Sequence, residues 1–120
     1  DLCREQQIGV IPYSPLAGGF LTGKYRKDQP LPDSARVGGV RRYLTERNWT
    51  LLDAMDGIAR AHGKTMSQVA LAWQLLQPVI TSPIIGANSV EQLNDSLGAV
   101  GFQLTGDEVK QLNDLSSWAD

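Results

Sequence analysis

Two short apolar runs constrain the fold of this chain more than any other feature. Residues 8–13 (IGVIPY) and 79–85 (VITSPII) are rich in Ile and Val, and neither alternates strictly between apolar and polar positions. Such runs are typical of strands that are buried on both faces, as in a parallel sheet. Because Pro83 cannot donate a backbone hydrogen bond, we expect the second strand to be shortened toward its end.

Helical patterns occupy much of the remaining sequence. Residues 65–68 (TMSQ), 89–92 (SVEQ) and 105–108 (TGDE) have the spacing of capping boxes, which predicts the starts of three helices. The first of these helices has apolar side chains around most of its circumference, so we expect it to be well buried. An earlier helix, ending near residues 62–63, is predicted by an apolar stripe, whose members are Leu51, Leu52, Met55, Ile58 and Ala59.

The order of these elements is strand, long loop, two helices, strand and two helices. This order predicts an α/β fold with a parallel sheet. Two parallel strands do not make a domain, because both edges and one or both faces would stay open. The organisation is therefore that of the end of a larger fold.

The composition excludes several classes of protein. The 120 residues allow one domain at most, and 42% hydrophobic with 20% charged residues is ordinary for a globular chain. The uncharged stretch 66–90 is interrupted by polar residues, Pro and Gly, so no membrane span is predicted. A single cysteine permits no internal disulfide, and residues 1–5 lack the features of a signal peptide, so we expect a cytoplasmic setting.

Charge is distributed unevenly. The formal net charge is −2, which argues against bulk nucleic-acid binding. Residues 24–47 nevertheless hold seven basic and three acidic side chains, a net +4, whereas the rest of the chain sums to −6. The long basic loop at residues 25–44 suits the capture of a small polyanion. A solvated loop that only keeps the chain soluble is the alternative.

Two segments directly follow the predicted strands. Residues 13–24 (YSPLAGGFLTGK) contain three glycines, and residues 85–96 (IGANSVEQLNDS) open a helix. Ligands of parallel α/β folds bind at the carboxyl ends of strands, where glycines permit close approach and helix starts attract anions. The alternative is that neither segment binds a ligand. The first would then be only a glycine-rich turn, and the second only a capping box that satisfies the backbone amides of its own helix.

Other chemistry has little support. His62, the only histidine, falls at a helix end and predicts a surface or capping role. Asp53 and Asp56 share the outer face of a helix, which indicates solvation rather than paired-carboxylate hydrolysis. Cys3 has no histidine neighbour, so a catalytic thiol is not predicted. The tryptophans are expected to pack or to form a half-exposed aromatic cover, and they are Trp49, Trp73 and Trp118.

Three segments, in this order, resemble the aldo-keto reductase superfamily. Residues 13–25 are similar to strand seven and its loop, residues 65–77 to the helix before strand eight, and residues 82–93 to strand eight and the nucleotide-binding helix. The resemblance covers essentially residues 1–120 and favours the branch related to the potassium-channel beta subunits. It implies the C-terminal part of a (β/α)8 TIM barrel, with the last two βα units and a terminal helix. Such a barrel typically has about 250 residues, so the chain is expected to be incomplete on its own.

The resemblance also implies that NADP(H) binds in extended form. Tyr13 would stack on the nicotinamide, and Arg36 would close over the phosphates. The pyrophosphate would be lined by Ser14, Pro15, Leu16, Ala17, Gly18 and Lys24. The adenosine and its 2′-phosphate would be held by Gly86, Asn88, Gln92, Asp95 and Ser96. Serine at 96 and aspartate at 95 depart from the common asparagine and glutamate, and residues 84–96 contain no basic side chain, so the choice between NADPH and NADH stays open.

The catalytic tetrad of the family, Asp, Tyr, Lys and His, comes from earlier strands. Tyr13 and Lys24 match the cofactor loop instead, so no catalytic residue and no metal ligand is assigned. The resemblance implies a parent enzyme that reduces small aldehydes or ketones to alcohols, and a chain that is inactive alone. Two alternatives are a regulatory subunit that senses the cofactor and a short protein that self-associates through open sheet edges.

Overall fold

The computed structural model of the chain describes residues 1–117. Within them lie six α-helices and two 3₁₀ segments, the latter at Ala17–Thr22 and Arg41–Tyr43. The helices are α1 (Leu2–Glu5), α2 (Val37–Val40), α3 (Glu46–His62), α4 (Met66–Leu75), α5 (Val90–Leu97) and α6 (Gly106–Ser116). Trp118, for which packing or an aromatic cover is predicted, lies outside the described residues. No helix within residues 1–117 is both long and apolar enough to cross a membrane.

Two of the three predicted capping boxes are confirmed. The Thr65 hydroxyl accepts from the Gln68 amide at 3.2 Å, and the Gln68 side chain accepts from the Thr65 amide at 3.2 Å. The same reciprocal pair forms at Thr105, where α6 begins. At α5 the prediction is wrong in detail, because the Gln92 side chain accepts from the amide of Asn88 rather than from that of the cap, Ser89.

The two apolar runs lie side by side and parallel. Val10 pairs with Ile80 and Tyr13 pairs with Ile84, as isolated bridges. The predicted continuous strands are not found within residues 1–117. Pro12 and Pro83 have no N–H, so they interrupt the ladder, and two strands without further neighbours make a marginal sheet. Burial on both faces is also wrong, because nothing described covers four of the apolar side chains, namely Ile8, Ile11, Tyr13 and Ile84.

The core lies in the helical part of the molecule. The buried residues of α3 are Leu52, Met55, Ile58 and Ala59, which confirms most of the predicted stripe. Helix α4 is buried over most of its length, also as expected. Phe20, from the first 3₁₀ segment, stacks in tilted geometry between Tyr43 and Trp49, at centroid distances of 5.7 and 5.8 Å. The glycine-rich segment is thereby part of the core.

Helix α6 is attached to α3 and α4 by polar contacts as well. His62 Nε2 lies 2.8 Å from Glu108 Oε1, and the His62 and Phe102 rings form a T-shaped pair at a centroid distance of 5.1 Å. Trp73 Nε1 donates to Asn113 Oδ1 at 2.8 Å. The predicted surface role of His62 therefore takes the form of a connection between the end of α3 and the start of α6.

Candidate functional site

The bridge between Tyr13 and Ile84 brings both candidate segments to one edge of the molecule. Because the pairing is parallel, residues 14–24 and residues 85–96 leave the bridge in the same direction. The Tyr13 ring is 82% exposed at this edge. The structure thus offers an open aromatic face between two segments that carry backbone amides and polar side chains.

The first segment is a tight turn with left-handed backbone at Ser14 (φ 53°), Ala17 (φ 51°) and Gly18 (φ 68°). Such conformations cost about 1–3 kcal/mol at a non-glycine residue and persist where the surroundings hold them. The Ala17 amide donates to the Ser14 carbonyl at 2.9 Å, and Gln74 Nε2, from α4, donates to the Pro15 carbonyl at 2.7 Å. The half-buried Leu16 packs against the core, so the turn is fixed before any ligand arrives.

Lys24 lies across this turn. Gly19 has φ 99°, and a Cβ at that position would stand 2.9 Å from Lys24 Cε and 3.0 Å from Lys24 Nζ. Glycine at 19 therefore leaves the space that the lysine occupies. Lys24 Nζ donates to Ser34 Oγ at 3.4 Å and lies 5.4 Å from the centroid of the Tyr25 ring. A cation thus lies next to Gly19 in a glycine-rich turn, an arrangement that suits a phosphate.

The second segment is exposed at Gly86, Asn88 and Gln92. The Gln92 amide donates to Ser89 Oγ at 3.2 Å, and Gln92 Oε1 accepts from the Asn88 amide at 2.9 Å. Hydrogen bonds to the Glu91 carboxyl from its own backbone amide and from Ser89 lower the pKa of that carboxyl. The start of α5 is therefore satisfied by its own side chains in this conformation.

Asp95 connects α5 to the start of α4. Its Oδ1 accepts from Thr65 Oγ1 at 2.9 Å, and its carbonyl accepts from Gln68 Nε2 at 2.9 Å. Ser96 is half-buried next to it, and its carbonyl accepts from the Ala99 amide at 3.1 Å. One carboxylate oxygen of Asp95 is thus engaged within the chain, a contact that the sequence pattern did not reveal.

The long basic loop is anchored where it begins. Lys27 Nζ lies 2.7 Å from Glu46 Oε2, and this hydrogen bond raises the pKa of Lys27. Arg26 Nη2 lies 3.2 Å from Asp56 Oδ1. Farther along, Arg36 is exposed at the start of α2 and has no carboxylate within ion-pair distance among residues 1–117.

The solvation predicted for Asp56 is wrong. Its carboxylate contacts Arg26 and also Arg60, whose Nη2 lies 2.7 Å from Oδ2. The spacing of Asp56 and Arg60, four residues apart on one helix, is a sequence signal for that pair. The partner thirty residues earlier carries no such signal, because only the tertiary fold brings it to α3.

Two hollows lie away from the predicted site residues. One is an apolar cavity of about 30 Å³ in the core between Leu21 and Trp73. The other is an open groove of about 260 Å³ beside Cys3 and Thr81, at the opposite ends of the paired segments. No cluster of three or more metal-ligating side chains occurs within residues 1–117. None of the predicted site residues lines either hollow.

Three proteins that are similar in sequence to this chain are all named as oxidoreductases or reductases. The chain is 38% identical over 112 residues to an uncharacterized oxidoreductase, YrpG, of Bacillus subtilis, a match of 93% of this chain and 33% of that protein. It is 43% identical to the chloroplastic pyridoxal reductase of Arabidopsis thaliana, over 93% of this chain and 30% of the reductase. The fission-yeast (Schizosaccharomyces pombe) aldo-keto reductase yakc, whose name carries NADP(+), is 34% identical over 98% of this chain and 36% of its own length.

A solved structure is similar as well. The glycerol dehydrogenase AKR11B4 of Gluconobacter oxydans superposes with a TM-score of 0.73 at 26% identity, over 94% of this chain and 35% of that one. The chain spans about a third of the length of the relatives it matches, and its fold is that of part of an aldo-keto reductase barrel. The profile of the Aldo/keto reductase family matches residues 1–117, and the chain belongs to that family.

Proposed function

We propose that this chain is the C-terminal, cofactor-binding part of an NADP(H)-dependent aldo-keto reductase that reduces small aldehydes or ketones. Residues 1–120 would supply the last two βα units and the terminal helix of a (β/α)8 barrel. The observation that carries the proposal is the parallel Tyr13–Ile84 bridge, from which the glycine turn and the segment that opens α5 leave in the same direction. The branch related to the potassium-channel beta subunits is proposed on the motif at residues 13–25 alone.

The first segment fits a dinucleotide well. The exposed Tyr13 ring offers a flat face for a nicotinamide. In the turn from Ser14 to Gly18, Pro15 has no N–H and the Ala17 amide donates to the Ser14 carbonyl. The remaining amides of the turn would face the pyrophosphate, and Lys24 and Arg36 would offer compensating charge. When bound, the nicotinamide supplies the hydride, while these residues bind and orient it.

The second segment carries groups that suit the adenosine half of the dinucleotide. Gly86 and Asn88 precede α5, whose positive end favours an anionic 2′-phosphate. Gln92 Oε1 accepts from the Asn88 amide, so Gln92 would meet an adenosine through Nε2, and Asp95 would offer the carboxylate oxygen that does not contact Thr65. The adenosine half of the proposed site, completed by Ser96, therefore has part of its hydrogen-bonding capacity used within the chain.

No residue of this chain is assigned to proton transfer, and the chain alone is expected to be inactive. Incubation of the purified chain with NADPH and a reactive aldehyde should give no oxidation of NADPH above background. Measurable turnover would overturn this expectation. A source protein of about 300 residues or more, found by intact mass, would support assignment to a barrel.

Binding is the direct test. Titration with NADPH, followed by nucleotide fluorescence, should saturate, and Lys24→Ala should weaken the affinity about tenfold through the lost charge-assisted contact. Lys110→Ala is the matched control, since Lys110 is an exposed lysine of α6 paired with Asp114. Equal affinity of the Lys24 variant and the wild type would contradict the proposed phosphate contact.

A further inference from the structure

Asp56 links the basic loop to the helical core. It lies in the middle of α3, its side chain is 22% exposed, and its two oxygens bind different arginines. Arg60 follows it by one turn of the same helix, whereas Arg26 belongs to the beginning of the loop. The carboxylate is therefore one of two points at which α3 holds the loop through a charge-assisted contact, the other being Glu46 with Lys27.

The residues around Arg26 leave little freedom to this part of the chain. Tyr25 is completely buried. Gly23 has φ 85°, and a Cβ there would stand 2.5 Å from Met66 Sδ. Arg26 Nη2 also lies 3.7 Å from the same sulfur. Lys24 is the exposed residue between these fixed neighbours, so its direction over the turn depends on where the residues on both sides are held.

We propose that Asp56 is a positioning residue for dinucleotide binding. By holding Arg26, it fixes the beginning of the basic loop and keeps Lys24 Nζ over the glycine turn, without contacting the ligand itself. A cation that is already in place loses less conformational entropy when a phosphate binds. The inference rests on the proposed function, because it takes the turn under Lys24 as the pyrophosphate site.

The neighbouring ion pair is not equivalent. Lys27 and Glu46 are 50% and 79% exposed at their side chains, and ion pairs of that kind contribute little order. The Asp56 side chain is 22% exposed and joins two arginines, of which Arg26 is 39% and Arg60 is 79% exposed. The ordering of the loop should therefore depend on Asp56 and not on Glu46.

The test is a double-mutant cycle of Asp56 and Lys24 in which the affinity for NADPH is measured by titration. Asp56→Asn keeps the shape of the side chain and removes its charge, and it should lower the affinity about fivefold. In a Lys24→Ala background the same change should have no further effect, because its action passes through Lys24. Asp53→Asn is the matched control, since Asp53 is exposed on the same helix and forms no ion pair among residues 1–117. Arg26→Gln, on the loop side of the contact, should reproduce the loss in affinity.

Limited trypsin digestion gives a readout that needs no cofactor. Cleavage after Lys24 should be several-fold faster in Asp56→Asn than in the wild type, and unchanged in Glu46→Gln. If the wild type binds NADPH and Asp56→Asn binds it with the same affinity, the inference is overturned and the proposed function still stands. The inference would also be overturned if Asp56→Asn lowered the NADPH affinity further in the Lys24→Ala background. A wild-type chain that binds no NADPH would instead overturn the proposed function, and the inference with it.

Discussion

The two halves of the proposed dinucleotide site are built in different ways. The turn after Tyr13 continues directly into the core, with Phe20 and Tyr25 at 2% and 0% exposure. Helix α5, which carries the other half, contains no buried residue. The first half therefore has its shape set by packing within this chain, whereas the second has its shape set by its own caps and a few polar contacts.

The contacts of α5 make the difference concrete. It is attached to the start of α4 mainly through Asp95 and Gln68. Its apolar residues are exposed among the described residues, and they are Val90, Leu93 and Leu97. A helix held in this way opens at a lower free energy than the core does. The difference teaches that the proposed pyrophosphate half is held by core packing within this chain, whereas the proposed adenosine half is held less firmly.

The largest expected effect separates the two halves by stability. Phe20→Ala removes a buried ring that packs on three aromatic residues, and it should lower the free energy of unfolding by about 3–5 kcal/mol. Val90→Ala, at a residue of α5 that is 69% exposed, should change it by less than about 0.5 kcal/mol. Urea denaturation of both variants measures the difference. Similar losses would show that α5 belongs to the same packed unit.

A pair of glycine substitutions sharpens the same comparison. Gly23→Ala introduces a methyl group at φ 85° and against Met66 Sδ, so it should destabilise the protein by about 2 kcal/mol. Gly86→Ala meets no atom within 4 Å, and its backbone is outside the left-handed region. We expect that change to lie within about 0.5 kcal/mol of the wild type. Thermal unfolding monitored by circular dichroism measures both, and equal midpoints would refute the contrast.

The smallest expected effect is a loss of stability at the start of α5 at acidic pH. Because the pKa of Glu91 is lowered in the folded protein, its carboxylate stabilises the start of α5 at pH values above the ordinary glutamate pKa. That stabilisation is lost as the pH falls through the lowered pKa. Amide hydrogen exchange of residues 89–92 should accelerate there relative to Glu91→Gln, after correction for intrinsic rates. The amides of residues 16–21 are the internal control and should show no such transition.

Local patterns predicted the helices well. Thr65 and Thr105 cap α4 and α6 as their spacing requires, because capping depends on atoms within four residues of each other. The parallel arrangement of the two apolar runs followed from their composition. Their failure to form continuous strands did not, because a ladder depends on neighbours that flank it on both sides.

The candidate site shows the same division. The glycine turn and the start of α5 were identified by their positions after the two runs, and the structure brings them to one edge. The partners of Asp56 and Asp95 were not predicted, since Arg26 and Thr65 lie about thirty residues away in sequence. Contacts over such separations depend on tertiary packing and leave no periodic signal in a single sequence.

The parallel bridges also bear on the order in which the chain folds. Helices α3 and α4 are adjacent in sequence and contact each other directly. The pairing of Val10 with Ile80 closes a loop of roughly seventy residues and pays the corresponding loss of chain entropy. We therefore expect the α3–α4 pair to form early in folding and the bridges to form late. The edge that gathers the two halves of the proposed site would be among the last features to assemble.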